Sequence, residues 1–235
     1  MTGSRIGRVI KLIHMLVVGS LAGCADAPLD NPIGRSLGWF NYLDAADIRS
    51  ACSQRNGERY RLIYNAIWGE QVRAYDIAAP PEDTAAALSV RVFFPENLND
   101  INLRDPLSPY RGQAKTVALS AADMTAFREA LQASGFDASV PRGLILPSDG
   151  FYWIVAACRD GVFHYNAYAY PSGSFAAIRF DRWLFDHDPS GVAVNLPRQS
   201  APRQSRNVRV SEGTAYSVFD MTVGDNGLAG VGALF

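Results

Sequence analysis

Along the chain the spacing of hydrophobic and polar positions changes several times, and each change marks an element. Residues 60–68 and 71–77 read as strands, with Gly69-Glu70 between them, and 86–94 is a third β-rich run. From 95 to 113 there is no period but there are Pro95, Pro106, Pro109, Asn97, Asn99 and Asp100, so this stretch reads as a loop. A short strand at 115–119 then leads into the clearest helix. Ser120 is its N-cap, Asp123 lies in its first turn, Met124, Phe127 and Leu131 recur on one face, and Gly135 supplies the stop. Ahead of these elements, Asp44 is positioned to cap a helix reaching about Ser53, with Ile48, Ala51 and Cys52 on one face.

The strongest hairpin signal joins 151–159 to 162–170 through Asp160-Gly161, a type I′ turn pair. A two-residue loop fixes the register: Cys158 opposes Phe163, Ala156 opposes Tyr165, and Trp153 opposes Tyr168. One face then carries Tyr152, Ile154, Ala156, Cys158, Phe163, Tyr165, Ala167 and Ala169, apolar enough to be core. The opposite face carries Phe151, Trp153, Val155, His164, Asn166, Tyr168 and Tyr170.

Residues 174–188 fit two periods. Ser174 capping a helix with Ile178, Trp183 and Leu184 is favoured over a strand alternating at Ile178, Phe180, Arg182 and Leu184. Pro197-Arg-Gln-Ser and Pro202-Arg-Gln-Ser form a tandem repeat in a basic linker, 197–207. Short strands at 208–210, 215–223 and 228–235 close the chain, the last two turning back at 224–227 and burying Leu228, Val231 and Phe235. Two or three helices with mostly antiparallel hairpins predict one α+β domain over 39–235.

The first residues follow another logic. Arg5, Arg8 and Lys11 precede a short apolar stretch, 12–21, and then Ala22, Gly23 and Cys24. That is the order of a secretory signal, and the apolar part is shorter than the ~20 residues of a spanning helix. Leu21-Ala22-Gly23-Cys24 resembles the bacterial lipobox. The resemblance implies removal of residues 1–23, acylation of Cys24 at its sulfur and new N-terminus, and a lipid-anchored product. Ala25 follows the cysteine and Asp26 comes one later, a pattern that implies the periplasmic leaflet of the outer membrane. Residues 24–38, rich in Pro, Asn and Gly, read as the anchor and its tether.

Composition sharpens this picture. Of 235 residues 48% are hydrophobic and 19% charged, the proportions of an ordinary globular chain. The leader holds no acid, so the mature part carries 19 basic and 23 acidic residues, a net charge of −4 with no global pull towards nucleic acid. With Cys24 lipidated, Cys52 and Cys158 remain, an even pair in an oxidising compartment. A disulfide between them closes a long loop, worth about 4–5 kcal/mol in the chain-entropy account.

Candidate chemistry is sparse. Trp153, His164, Asn166, Tyr168 and Tyr170 form a candidate binding face, unless a helix covers it and satisfies its polar atoms. Asp186-His187-Asp188 reads as a polar helix end before Pro189 rather than a cation site, and no set of zinc ligands or phosphate-binding glycine loop is present. Ser172 and Ser174 lack the glycines of a nucleophile elbow. The favoured expectation is therefore a non-catalytic envelope module without metal or cofactor, held to the membrane through Cys24 and facing an envelope protein partner. The alternative is a periplasmic hydrolase of an envelope polymer, with His164 as its acid–base group.

Overall fold

The structure, a computed structural model, describes residues 42–54, 57–81, 85–94, 114–199, 208–211 and 214–229. All of them belong to the unit Trp39–Phe235. Cys24 with its lipobox, the tether, the predicted loop at 95–113, the linker at 200–207 and the tail at 230–235 lie outside the described residues.

Six strands form the central sheet: β1 (Glu58–Ala66), β2 (Gln71–Ala79), β3 (Ala86–Phe93), β4 (Lys115–Leu119), β6 (Phe151–Arg159) and β7 (Val162–Ala169). Their order is β4-β3-β2-β1-β6-β7 and every neighbouring pair is antiparallel. The chain therefore winds outward from β1 as a meander, then returns to β1's free side with the β6–β7 hairpin. That hairpin has the predicted register, with Cys158 opposite Phe163, Ala156 opposite Tyr165 and Trp153 opposite Tyr168. Its turn residues Asp160 (φ 53) and Gly161 (φ 78) are both left-handed, as a type I′ turn requires.

Both faces of this sheet are covered. On the first face lie α2 (Ala121–Ala133), α3 (Gly173–Ala176) and α4 (Phe180–Asp186). Met124, Phe127 and Leu131 of α2 and Phe180 and Leu184 of α4 are buried in the same cluster as Tyr60, Leu62, Tyr64, Tyr75, Leu88 and Trp153. On the second face α1 (Ala46–Ala51) and a C-terminal arm pack against Ile63, Ala74, Ile154, Ala156, Tyr165 and Ala167. The fold is α+β, with four α-helices and a mostly antiparallel strand set among the described residues. None of the described helices is long and apolar enough to cross a membrane.

Ser120 caps α2 as predicted, and its hydroxyl accepts the Asp123 N–H while the Asp123 carboxylate accepts the Ser120 N–H. Elsewhere the structure corrects the expectations. Asp44 does not cap α1, which starts at Ala46 behind a left-handed Ala45. Its carboxylate is buried instead, accepting from Arg49 Nη1 (2.6 Å) and the Leu228 N–H (2.6 Å). The segment 174–188 is helical but split in two, and the cap is Ser172, whose Oγ accepts the Phe175 N–H at 3.1 Å.

The predicted strand at 215–223 is also split. Its first half, β9 (Thr214–Ser217), pairs with β8 (Val208–Ser211), whereas β10 (Asp220–Thr222) pairs with an unforeseen short strand, β5 (Ile145–Pro147). Val223 bridges Leu228, so the chain turns back where expected and Leu228 is buried; the rest of that segment lies outside the described residues.

Candidate functional site

The candidate binding face is a second core. Trp153, Asn166 and Tyr168 are buried beneath α2, α4 and the turn after α2, and only His164 and Tyr170 remain half-buried at its rim. Trp153 stacks on Tyr64 at 4.8 Å and meets Phe180 edge-on at 5.2 Å; Tyr168 meets the same Phe180 ring at 5.7 Å. Tyr170 lies between Phe151 and Phe175, at 6.2 and 5.4 Å.

The polar members are committed to backbone. His164 Nε2 lies 2.8 Å from the Phe136 carbonyl, and because a carbonyl only accepts, Nε2 carries the proton. Asn166 Nδ2 donates to the same carbonyl at 3.0 Å, and its Oδ1 accepts the Ala167 N–H at 2.8 Å. Together these two side chains fasten the chain leaving α2 onto β7. The Tyr168 hydroxyl is buried without a hydrogen-bond partner among the described residues, and burial, with the charge of Asp137, pushes it up from its ordinary value. The phenol therefore keeps its proton at neutral pH.

The remaining sequence candidates also separate. Of Asp186-His187-Asp188, Asp186 is exposed; His187 stacks on Trp183 at 4.1 Å and donates from Nδ1 to the Trp183 carbonyl; Asp188 turns inward to pair with Arg73. Among the described residues no three His, Cys, Asp or Glu side chains converge to hold a metal. An open groove of about 480 Å³ lies over Gly57, Glu58, Pro80, Pro81, Arg128 and Asp160, where the Glu58–Arg128 ion pair (2.8 Å) supplies the polar wall.

Cys52, in a 3₁₀ turn directly after α1, and Cys158, in β6, are disulfide-bonded, with a Cα separation of 5.5 Å. The two thiols come from the two apolar patterns that predicted them, the helix face and the first hairpin face.

Sequence reasoning missed the buried arginines. Arg61 in β1 is held by Asp47 of α1 (2.7 Å) and Asp76 of β2 (2.7 Å), with its guanidinium 3.7 Å over the Tyr42 ring. Arg73 in β2 is wholly buried. In alternating strands each arginine occupied a position that pattern alone assigns to solvent. Both stand in mixed stretches, Glu58-Arg59-Tyr60-Arg61 and Gln71-Val72-Arg73-Ala74-Tyr75-Asp76, so no local pattern signalled the second cover that buries them.

No family model, curated protein or solved structure matches the chain.

Proposed function

We propose that the protein is a non-catalytic cell-envelope lipoprotein, an interaction module anchored through Cys24. The observation that carries the reading is the Cys52–Cys158 bond. A paired thiol set suits an exported chain, and it leaves Cys24 as the odd cysteine of three, sitting in Leu21-Ala22-Gly23-Cys24. Several acyl chains on one cysteine anchor stably, whereas one chain binds marginally.

The module is favoured over the hydrolase by how the candidate groups are used. His164 Nε2 is committed to the Phe136 carbonyl, Ser172 Oγ caps a helix, and Asp188 neutralises Arg73. General acid–base work needs a group free to reach a substrate proton. Metabolic labelling with a palmitate analogue should mark the wild-type protein and not the Cys24→Ala variant. Persistent label in the variant sinks the anchoring half of this reading.

A further inference from the structure

Residues 188–198 leave α4 and cross the ends of β1 and β2 without regular secondary structure. They are held mainly by polar contacts from the sheet. Arg73 pairs with the Asp188 carboxylate and donates through Nη2 to the Val192 carbonyl (2.7 Å) and the Ala193 carbonyl (2.8 Å). The Tyr75 hydroxyl donates to the same Asp188 oxygen at 3.0 Å. Gln71 uses both ends of its amide: Nε2 donates to the Ala193 carbonyl at 3.0 Å, and Oε1 accepts the Asn195 N–H at 3.1 Å. The Tyr64 hydroxyl donates to the Asn195 carbonyl at 2.8 Å.

Burial is distributed unevenly across this contact. Gln71, Arg73, Tyr75 and Tyr64 are at most 5% exposed. On the strap, Gly191, Val192, Ala193 and Leu196 are exposed, and Val194 is its hydrophobic contact with the core. A segment needed to fill a core shows the reverse, with buried apolar side chains and little reading of its backbone. Buried polar side chains that read another segment's carbonyls, one amide and one carboxylate are the means by which a groove recognises an extended peptide.

We infer that Gln71, Arg73 and Tyr75 form a recognition groove for an extended, aspartate-bearing peptide, and that residues 188–195 are its resident occupant, displaced by a partner segment of the same chemistry. The carboxylate enters the Arg73–Tyr75 pocket, and the carbonyls of Val192 and Ala193 and the amide of Asn195 set the required reach of the main chain beyond it. This deepens the interaction-module reading and rests on it for the existence of a partner; the groove itself does not depend on the anchor.

The test uses the full chain carrying Asp188→Ala. That variant leaves the Arg73 charge unpaired, so its melting temperature should fall several degrees below wild type. An excess of synthetic peptide spanning residues 187–199 should raise it again by several degrees through mass action. The same peptide with Asp188→Asn should leave it unmoved. A folded variant that the aspartate peptide does not stabilise, or that both peptides stabilise equally, overturns the inference. Should Asp188→Ala not fold, fluorescence anisotropy of the labelled peptide on Asn195→Ala protein decides, since that change loosens the far end of the strap without touching Arg73. Binding should be about tenfold tighter than to the Asn195→Ala, Gln71→Ala double variant, the equivalent of about 1.4 kcal/mol; equal binding overturns it. Loss of palmitate labelling concerns Cys24 alone, so the anchor and the groove fail separately.

Discussion

Under α2 and α4 the sheet presents large rings, Tyr60, Tyr64, Tyr75, Trp153 and Tyr168, with Phe127 and Phe180 pressed into them from the helices. Under α1 and the C-terminal arm it presents Ile63, Ala74, Ile154, Ala156, Ala167 and the tyrosines Tyr152 and Tyr165. The first cover includes a 13-residue amphipathic helix; the second has a six-residue helix and strands of three residues. A helix of six residues is marginal by itself. The second cover is held by cross-links: the disulfide, the Asp47–Arg61–Asp76 set, and Asp44 gripping both Arg49 and Leu228. One sheet is thus closed by volume on one side and by specific bonds on the other.

The contrast can be broken from either side. Trp153→Ala should have the largest effect, a loss of about 3–5 kcal/mol in urea unfolding, because it empties the centre of the ring cluster. A loss below about 1 kcal/mol would mean the rings are not what closes that side. Replacing Cys52 and Cys158 together by alanine should cost about 2–4 kcal/mol. Hydrogen exchange should then speed first in α1 and around 221–228, while α2 keeps its protection; uniform loss across the fold would contradict a locally bonded cover.

Two smaller changes sharpen the comparison. Asn166→Ala removes the acceptor of the Ala167 amide and one of the two donors to the Phe136 carbonyl, which keeps His164, and should cost about 1–3 kcal/mol, with accelerated exchange confined to 136–138 and β7. Asp47→Asn should cost less than about 1 kcal/mol at neutral pH, since the Asp47 side chain is 55% exposed. Burial pushes the Asp47 carboxyl up, but the Arg61 hydrogen bond and charge outweigh it and hold the group below its ordinary value. Its contribution is therefore present above an unfolded value near ~3.9 and is lost as the pH falls through the lower folded value. Wild type and variant should converge in stability in strong acid; a gap that persists there refutes the assignment.

Short-range signals were the legible part of the fold. The Asp160-Gly161 turn fixed a register that reads residue for residue in the structure, and Ser120 with Asp123 marked the start of α2. The Cys52–Cys158 pair followed from counting cysteines and from two apolar faces. What escaped depends on a second layer arriving from far along the chain. Asp44 looks like a helix cap until Leu228, from the other end of the domain, claims its carboxylate. Strand β5 has three residues and exists only because β10 lies beside it. The candidate binding face is covered, as the favoured alternative to a binding role required. Eight successive residues of β6, from Phe151 to Cys158, are buried, and a run apolar on both faces signals covers on both. His164 and Asn166 hold the turn beyond α2, with their polar atoms satisfied as that alternative required.

The grip of Asp44 on the Leu228 amide, with Arg49 on the Asn226 carbonyl at 2.9 Å, brings the first and last described parts of the chain together. Gly227 sits in this junction where a Cβ would collide with both Asp44 and Arg49. A covalent linker there would have little distance to cover, so a circularly permuted chain, rejoined at this seam and cut elsewhere in an exposed loop, should keep the same sheet order. The seam also fixes where an appended reporter travels: fused after residue 229, it leaves the domain one residue beyond the Leu228 amide held by Asp44, and its cleavage reports on that side of the domain.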